Sequence, residues 1–211
     1  MRGRRRLGLA GLAGVSIWLL LLLSVGAAAA ASPPARPPYP DAVTGQRVYD
    51  YAGIFSPGAI SGAETTINAI QVRTGAQVAV YTQVKLESDT LDAANADALA
   101  LMNQWGVGRK GFDDGLVILF DMEDNRQHGE VSLYAGSGFK AAYLTNADRQ
   151  AIFDNDMKPL LVDGNFDGAM AKALADIDTA ASRRLEPTTG SRLPPRFRAR
   201  RCRRSRRHAA R

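Results

Sequence analysis

The chain has few of the side chains that commonly perform nucleophilic or acid–base chemistry. Its single cysteine, Cys202, excludes an intrachain disulfide, so stability must come from packing even in an oxidising compartment. Only one of the two histidines, His128, precedes residue 186. No serine occupies a Gly-x-Ser-x-Gly turn of the kind that presents a hydrolase nucleophile. These absences favour a binding role over acid–base catalysis.

Positive charge is scarce in the middle of the chain and concentrated at its end. The whole chain carries a net charge of +6, but residues 41–186 contain 21 acidic and 12 basic residues. This acidic region excludes a basic patch for nucleic acid, so no specific nucleic-acid partner is expected. Residues 192–211 contain ten arginines and almost no large apolar side chains, so we expect the segment 186–211 to be disordered. That tail either binds anionic lipid or polymer or is an incidental, truncated C-terminus.

One long apolar segment is present, at the N-terminus. Residues 1–31 have a basic start, a leucine-rich centre and small residues at 29–31, which is the pattern of a cleaved signal peptide. The alternative is an uncleaved anchor, because the apolar segment is long enough to cross a bilayer. Residues 32–46 begin with five prolines in nine positions and are predicted to form a stiff spacer. The protein is therefore expected to be exported, and to be secreted or membrane-anchored.

Between residues 47 and 185 the hydrophobic pattern alternates between strand and helix periods. The predicted order is strand, helix, strand, helix, strand, strand, helix, helix. Helices are predicted to begin at Ser56, Thr90, Thr145 and Asp167, and strands to cover 78–84, 116–120 and 131–135. The alternation at 78–84 favours an edge strand or one buried on one face, whereas 116–120 is apolar throughout and favours a central strand. The pattern predicts one α/β domain, a three-layer α/β/α sandwich with a small mixed sheet of about four strands.

The glycine-rich segment 105–115 carries two adjacent carboxylates, Asp113 and Asp114, directly before the apolar strand. Asp50 lies at the end of the first predicted strand. If the two loops are neighbours, three carboxylates converge at one edge of the sheet, where oxygen ligands favour Ca²⁺ or Mg²⁺. The alternative is an ordinary turn in which an Asp side chain accepts hydrogen bonds from nearby amides. The residues alone leave both interpretations open.

Three further motifs have weaker functional interpretations. Residues 163–168 imitate the first half of a calcium-binding loop, but Leu174 stands where the bidentate Glu belongs, so a helix-entry turn is predicted. Arg109 and Lys110 are suited to an anion, although solvated loop cations are the commoner case. Residues 136–138, Gly-Ser-Gly, are predicted to form a turn.

Several segments together resemble the TPM domain family of exported bacterial and thylakoid-lumen proteins. The resemblance rests on Val-Tyr-Asp-Tyr-Ala-Gly-Ile-Phe-Ser at 48–56, Thr-Gly-Ala-Gln-Val-Ala-Val at 74–80 and Trp-Gly-Val-Gly-Arg-Lys-Gly-Phe-Asp-Asp-Gly at 105–115. It covers roughly residues 47–181 and implies the same α/β/α sandwich. Asp114 stands where the family usually has Asn.

The resemblance also implies two kinds of function. The family is associated with metal binding, and its plant members suggest photosystem II repair and phosphate-ester hydrolysis. We therefore expect a cell-envelope module that binds a divalent cation through Asp50, Asp113 and Asp114 and assists membrane or envelope proteins. The alternative is a weak metal-assisted acid phosphatase with Asp113 and Asp114 as catalytic candidates. A third alternative is a truncated product without a present role.

Overall fold

The structure, a computed structural model, describes residues 35–85 and 90–183. The signal-peptide prediction for residues 1–31 and the tail prediction for 186–211 lie outside these described residues. Among the described residues, no helix has both the length and the apolar character needed to span a membrane.

The described chain folds into a four-stranded sheet flanked by helices, which confirms the predicted α/β class. The strands are β1 (Val48–Asp50), β2 (Gln77–Val84), β3 (Gly115–Met122) and β4 (Gly129–Ala135). The helices are α1 (Pro57–Thr74), α2 (Leu91–Trp105), α3 (Ser137–Ala142), α4 (Asn146–Ala151), α5 (Lys158–Val162) and α6 (Phe166–Arg183), with a π-helical turn (Ile152–Met157) between α4 and α5. The sheet order is β1-β2-β3-β4, in which the first three strands are parallel and β4 is antiparallel to β3.

Two apolar clusters lie on opposite faces of the sheet and make the fold three layers thick. On one face, α1 and α6 pack against the sheet; their buried side chains include Ile67, Ile70, Met170, Leu174 and Ile177. On the other face, α2 packs against Tyr81, Val117 and Leu119. The five residues 116–120 are fully buried, so the prediction of a central strand is confirmed. Each fully buried aliphatic side chain of this kind contributes about 1.5–3 kcal/mol through its removal from water.

The second strand is more deeply buried than its sequence predicts. The prediction of an edge strand, or of one buried on a single face, is wrong, because β2 lies between β1 and β3 and is covered by helices on both faces. Tyr81, Thr82 and Gln83 are almost completely buried there. Its alternating polar residues therefore point into the second cluster rather than into water.

Local capping rules account for most helix boundaries. Ser56 and Thr90 accept hydrogen bonds from the amides of Ala59 and Ala93, as expected of N-cap side chains. Thr145 forms the predicted capping box at the start of α4.

The start of α6 differs from the predicted one. Asn165, rather than Asp167, accepts a hydrogen bond from the Gly168 amide. Asp167 instead accepts a hydrogen bond from the backbone amide of Ser56, at 2.9 Å, and so links the starts of α6 and α1.

The end of the proline-rich segment belongs to the folded domain. Tyr39 is buried, its ring packs edge-on against Tyr81, and its amide and carbonyl groups both bond the side chain of Gln104. Trp105 donates a further hydrogen bond to the carbonyl of Pro40. From Tyr39 onward, the segment predicted to be a spacer is therefore fixed against the end of α2.

Candidate functional site at the glycine-rich loop

The buried carboxylate of the glycine-rich loop, Asp114, is neutralised within the loop itself. The side chain of Asp114 accepts hydrogen bonds from the backbone amide of Arg109 at 2.7 Å and from its Nε at 2.7 Å. Nη2 of Arg109 lies 2.6 Å from the same carboxylate. Asp114 is only 3% exposed, and bidentate guanidinium–carboxylate pairs are among the stronger polar contacts in proteins. The pair therefore closes residues 109–114 into a fixed loop.

The loop is also attached to the start of β2. Gln77 accepts a hydrogen bond from the Gly108 amide through Oε1 and donates from its own backbone amide to the carbonyl of Asp114. The guanidinium of Arg109 lies directly over Gly75, where a Cβ atom would collide with it. Gly75 also has a φ of 77°, which disfavours a side chain independently. The Thr-Gly-x-Gln motif and the glycine-rich motif thus form one structural unit.

The second carboxylate, Asp113, is exposed and fixes the start of α3. It has a φ of 50°, which is uncommon for a residue with a side chain, and its Oδ2 accepts a hydrogen bond from the Ser137 amide at 2.5 Å. Hydrogen bonds from Ser137 lower the pKa of Asp113 below its usual value, assisted by the positive charge of Lys140. Gly138 lies against the carbonyl of Phe112 so closely that no side chain fits. Asp113 is consequently ionised at neutral pH.

An open groove of about 630 Å³ runs beside this loop, between α2, the end of β4 and α3. Lys110 and Lys140 both line it, whereas Asp113 is its one carboxylate-bearing residue. At the loop tip, Phe112 is 61% exposed and lies under the guanidinium of Arg109, 4.4 Å from the ring centre. An exposed aromatic ring held by a cation–π contact on a fixed loop is suited to a protein contact.

The predicted convergence of three carboxylates does not occur. Asp50 pairs in register with Thr82, five residues along β2 from Gln77, which pairs with Gly115. At 3.3 Å per residue this separates Asp50 from the glycine-rich loop by roughly 17 Å. The expectation was wrong because Asp50 ends a parallel strand, whereas Asp113 and Asp114 precede one, so they lie at opposite edges of the sheet.

Asp50 has a structural role at its own edge. Its side chain accepts hydrogen bonds from the amides of Ile54 and Phe55 and from the hydroxyl of Thr82. These contacts hold the connection from β1 to α1 in the manner of an Asx turn.

No group of three or more His, Cys, Asp or Glu side chains is arranged to hold a metal ion within residues 35–85 and 90–183. The divalent cation at Asp113 and Asp114 stays a prediction. The Asp163–Asn165–Asp167 segment enters α6 as a turn, which agrees with its predicted structural role.

Three residues of the site were missed or misjudged from sequence. Arg109 was interpreted as an anion ligand or a solvated cation, but it is the partner of Asp114. Ser137 was assigned to a turn, but it begins α3. Phe112 was not singled out, although an aromatic residue between Gly111 and Asp113 in a polar loop is an available signal for an exposed contact.

Comparison with known protein families agrees with this geometry. The TPM domain family matches residues 48–180, which is more than half of the chain. The protein therefore belongs to the TPM domain family. No curated protein gives a significant match.

Similar solved structures support the fold alone. The N-terminal domain of a protein from P. gingivalis aligns with a TM-score of 0.57 and 23% identity, over 67% of this chain and 85% of that one. The BA42 protein from Bizionia argentinensis aligns with a TM-score of 0.49 and 15% identity, over 62% and 83% of the two chains. The N-terminal domain of the cg2496 protein from Corynebacterium glutamicum aligns with a TM-score of 0.47 and 16% identity, over 72% and 89%.

Proposed function

We propose that this TPM domain is a binding module of the cell envelope that contacts a membrane or envelope protein through its glycine-rich loop. The observation that supports this most is the exposed ring of Phe112 on a loop fixed by the Arg109–Asp114 pair. A surface that is already ordered loses little conformational entropy on binding. Lys110 and Lys140, beside the ring, suit a partner segment that carries a carboxylate.

A photo-crosslinking amino acid at position 112 tests the docking surface in the producing cells. We expect a discrete crosslinked product from position 112 that disappears when Asp114→Ala releases the loop. Val162, which is also highly exposed, supplies the matched control position. Identical crosslinking patterns from positions 112 and 162 would exclude the loop as the docking surface.

A divalent cation forms the second part of the proposal, with Asp113 as its main protein ligand. Asp113 is ionised and exposed, whereas both oxygens of Asp114 already accept hydrogen bonds from Arg109. With one available carboxylate, the affinity should be weak, on the order of 10⁻³ M. Calorimetric titration of the protein with Ca²⁺ and Mg²⁺ should show binding that Asp113→Asn removes and that Asp50→Asn leaves unchanged. Loss of binding in the Asp50→Asn variant alone would move the cation site to the opposite edge.

Phosphatase activity has weaker support from the same groove. The lowered pKa of Asp113 makes its carboxylate a poor general base at neutral pH. His128 follows β3 at its Met122 end, whereas the groove lies at the Gly115 end. Turnover of a chromogenic phosphate ester should therefore equal the background rate. Activity that co-purifies with the protein and is lost on Asp113→Asn would instead support the phosphatase alternative.

A further inference from the structure

A second cavity, of about 260 Å³, lies beside the outer strand β4 and shares no lining residue with the loop groove. Leu91 and Phe153 contribute apolar groups to it, and Asn95 and Gln150 contribute amides. Arg149 also lines it. The cavity is thus mainly neutral, with an arginine in its wall.

Arg149 has no carboxylate partner in the structure. One terminal nitrogen of its guanidinium donates to the carbonyl of Leu133, and the other donates to Oδ1 of Asn146 at 2.5 Å. Its Nε is buried and makes no hydrogen bond. Within the described ranges, none of the ion pairs includes Arg149.

This arrangement has an energetic cost that the protein itself does not offset. Burial lowers the pKa of the Arg149 guanidinium, because removing the charged group from water is unfavourable. A partly buried cation is normally matched by an anion, and acidic residues outnumber basic ones in residues 41–186 by 21 to 12. Glu130 lines the same cavity without forming an ion pair with Arg149.

We propose that this cavity binds a small apolar carboxylic acid, with the carboxylate on Arg149 and the apolar group against Leu91 and Phe153. The volume suits a molecule the size of one amino-acid residue. The negative charge of Glu130 at the cavity disfavours a doubly charged group such as phosphate, so a single carboxylate fits better. A guanidinium and a carboxylate form a charge-assisted pair that would compensate the desolvation of Arg149.

Calorimetry with N-acetyl-leucine as the probe, added to the full chain in a mild detergent, tests this site. We expect saturable binding, and none of N-acetyl-leucine amide, which lacks the carboxylate. Arg149→Gln should weaken the binding of N-acetyl-leucine by about tenfold or more.

Asn146→Asp is the sharper variant, because it places a carboxylate where Arg149 already finds an amide oxygen. It should keep the fold, as Asp is favourable in the first turn of α4, and it should also weaken probe binding by about tenfold. Thermal melting of each variant separates loss of binding from loss of folding. Absence of probe binding to the unmodified protein at about 10 mM, or unchanged affinity in folded Asn146→Asp, would overturn the proposal.

Discussion

At the scale of single residues, the two adjacent aspartates of the glycine-rich loop have separate tasks. Asp114 is buried and paired with Arg109 inside the loop, whereas Asp113 is exposed and fixes the first amide of α3. In the resembling family, Asn usually stands at the position of Asp114. A carboxylate there offers two acceptor oxygens and a negative charge, and Arg109 uses all of these.

Replacement of Asp114 by Ala should lower the free energy of unfolding by about 1–3 kcal/mol, since it removes the charge-assisted bonds to Arg109. The partly exposed guanidinium can regain water, which keeps the loss below that of a fully buried pair. Urea denaturation measures the change. Lys110→Ala, in the same loop but on an exposed side chain, should stay within about 0.5 kcal/mol. Equal stability of the two variants would contradict a clamping role for Asp114.

Asp113 should make stability depend on acid. Its pKa in the folded protein is lowered below the ordinary 3.8, so its stabilising contribution is present above pH 3.8 and is lost as the pH falls through the lower folded value. Thermal melting between about pH 5 and pH 2 should therefore show a smaller acid-dependent loss for Asp113→Asn than for the unmodified protein. Coinciding melting profiles would show that the Ser137 contact does not stabilise the ionised form.

At the scale of elements, the loop and the first turn of α3 are built by backbone contact at glycine. Gly138 approaches the carbonyl of Phe112, and its amide donates to the carbonyl of Asp113. The short helix therefore starts where it does because the glycine-rich loop lies against it. Without this contact, a Gly-Ser-Gly sequence favours a turn.

Gly138→Ala should destabilise the protein by about 1–3 kcal/mol or more, because the new methyl group would overlap the Phe112 carbonyl. Gly62→Ala, in the exposed interior of α1 with open space around it, is the matched control. It should stabilise the protein by about 0.5–1 kcal/mol through helix propensity. Chemical denaturation of the two variants gives both signs in one experiment. A stable Gly138→Ala protein would indicate that the loop and α3 separate easily.

At the scale of the whole molecule, the folded unit begins before its first strand. Tyr39 and Pro40 are attached to α2 by hydrogen bonds from Gln104 and Trp105, and Tyr39 joins the aromatic cluster on that face of the sheet. Burial and the nearby Asp97 raise the pKa of Tyr39 well above its ordinary value, so its hydroxyl stays protonated at any pH where the protein is folded. The segment thus closes the second cluster.

Tyr39→Ala should lower the free energy of unfolding by about 3 kcal/mol, since a buried aromatic ring is lost. Tyr39→Phe keeps the ring and should lose only about 0.5–1.5 kcal/mol with the hydrogen bond to the carbonyl of Asp97. The two variants can be compared by guanidinium denaturation. If both cost the same small amount, the packing of Tyr39 contributes little and the domain begins closer to residue 47.

The sequence by itself determined the features that depend on neighbouring residues. Helix caps at Ser56, Thr90 and Thr145 follow from side chains that reach amides two or three positions away. The central strand at 116–120 follows from an unbroken apolar run that only a doubly covered strand can bury. Membership of the TPM domain family follows from the order and spacing of short motifs.

The tertiary structure alone decided which distant groups meet. Strand direction and register place Asp50 at the edge of the sheet opposite Asp113, a separation that no local pattern encodes. The pairing of Arg109 with Asp114, the helix at Ser137 and the burial of Tyr39 each depend on contacts between segments distant in the chain or on the closed path of a loop. The physical reason is that composition and period determine whether a side chain is buried, whereas topology determines what lies beside it.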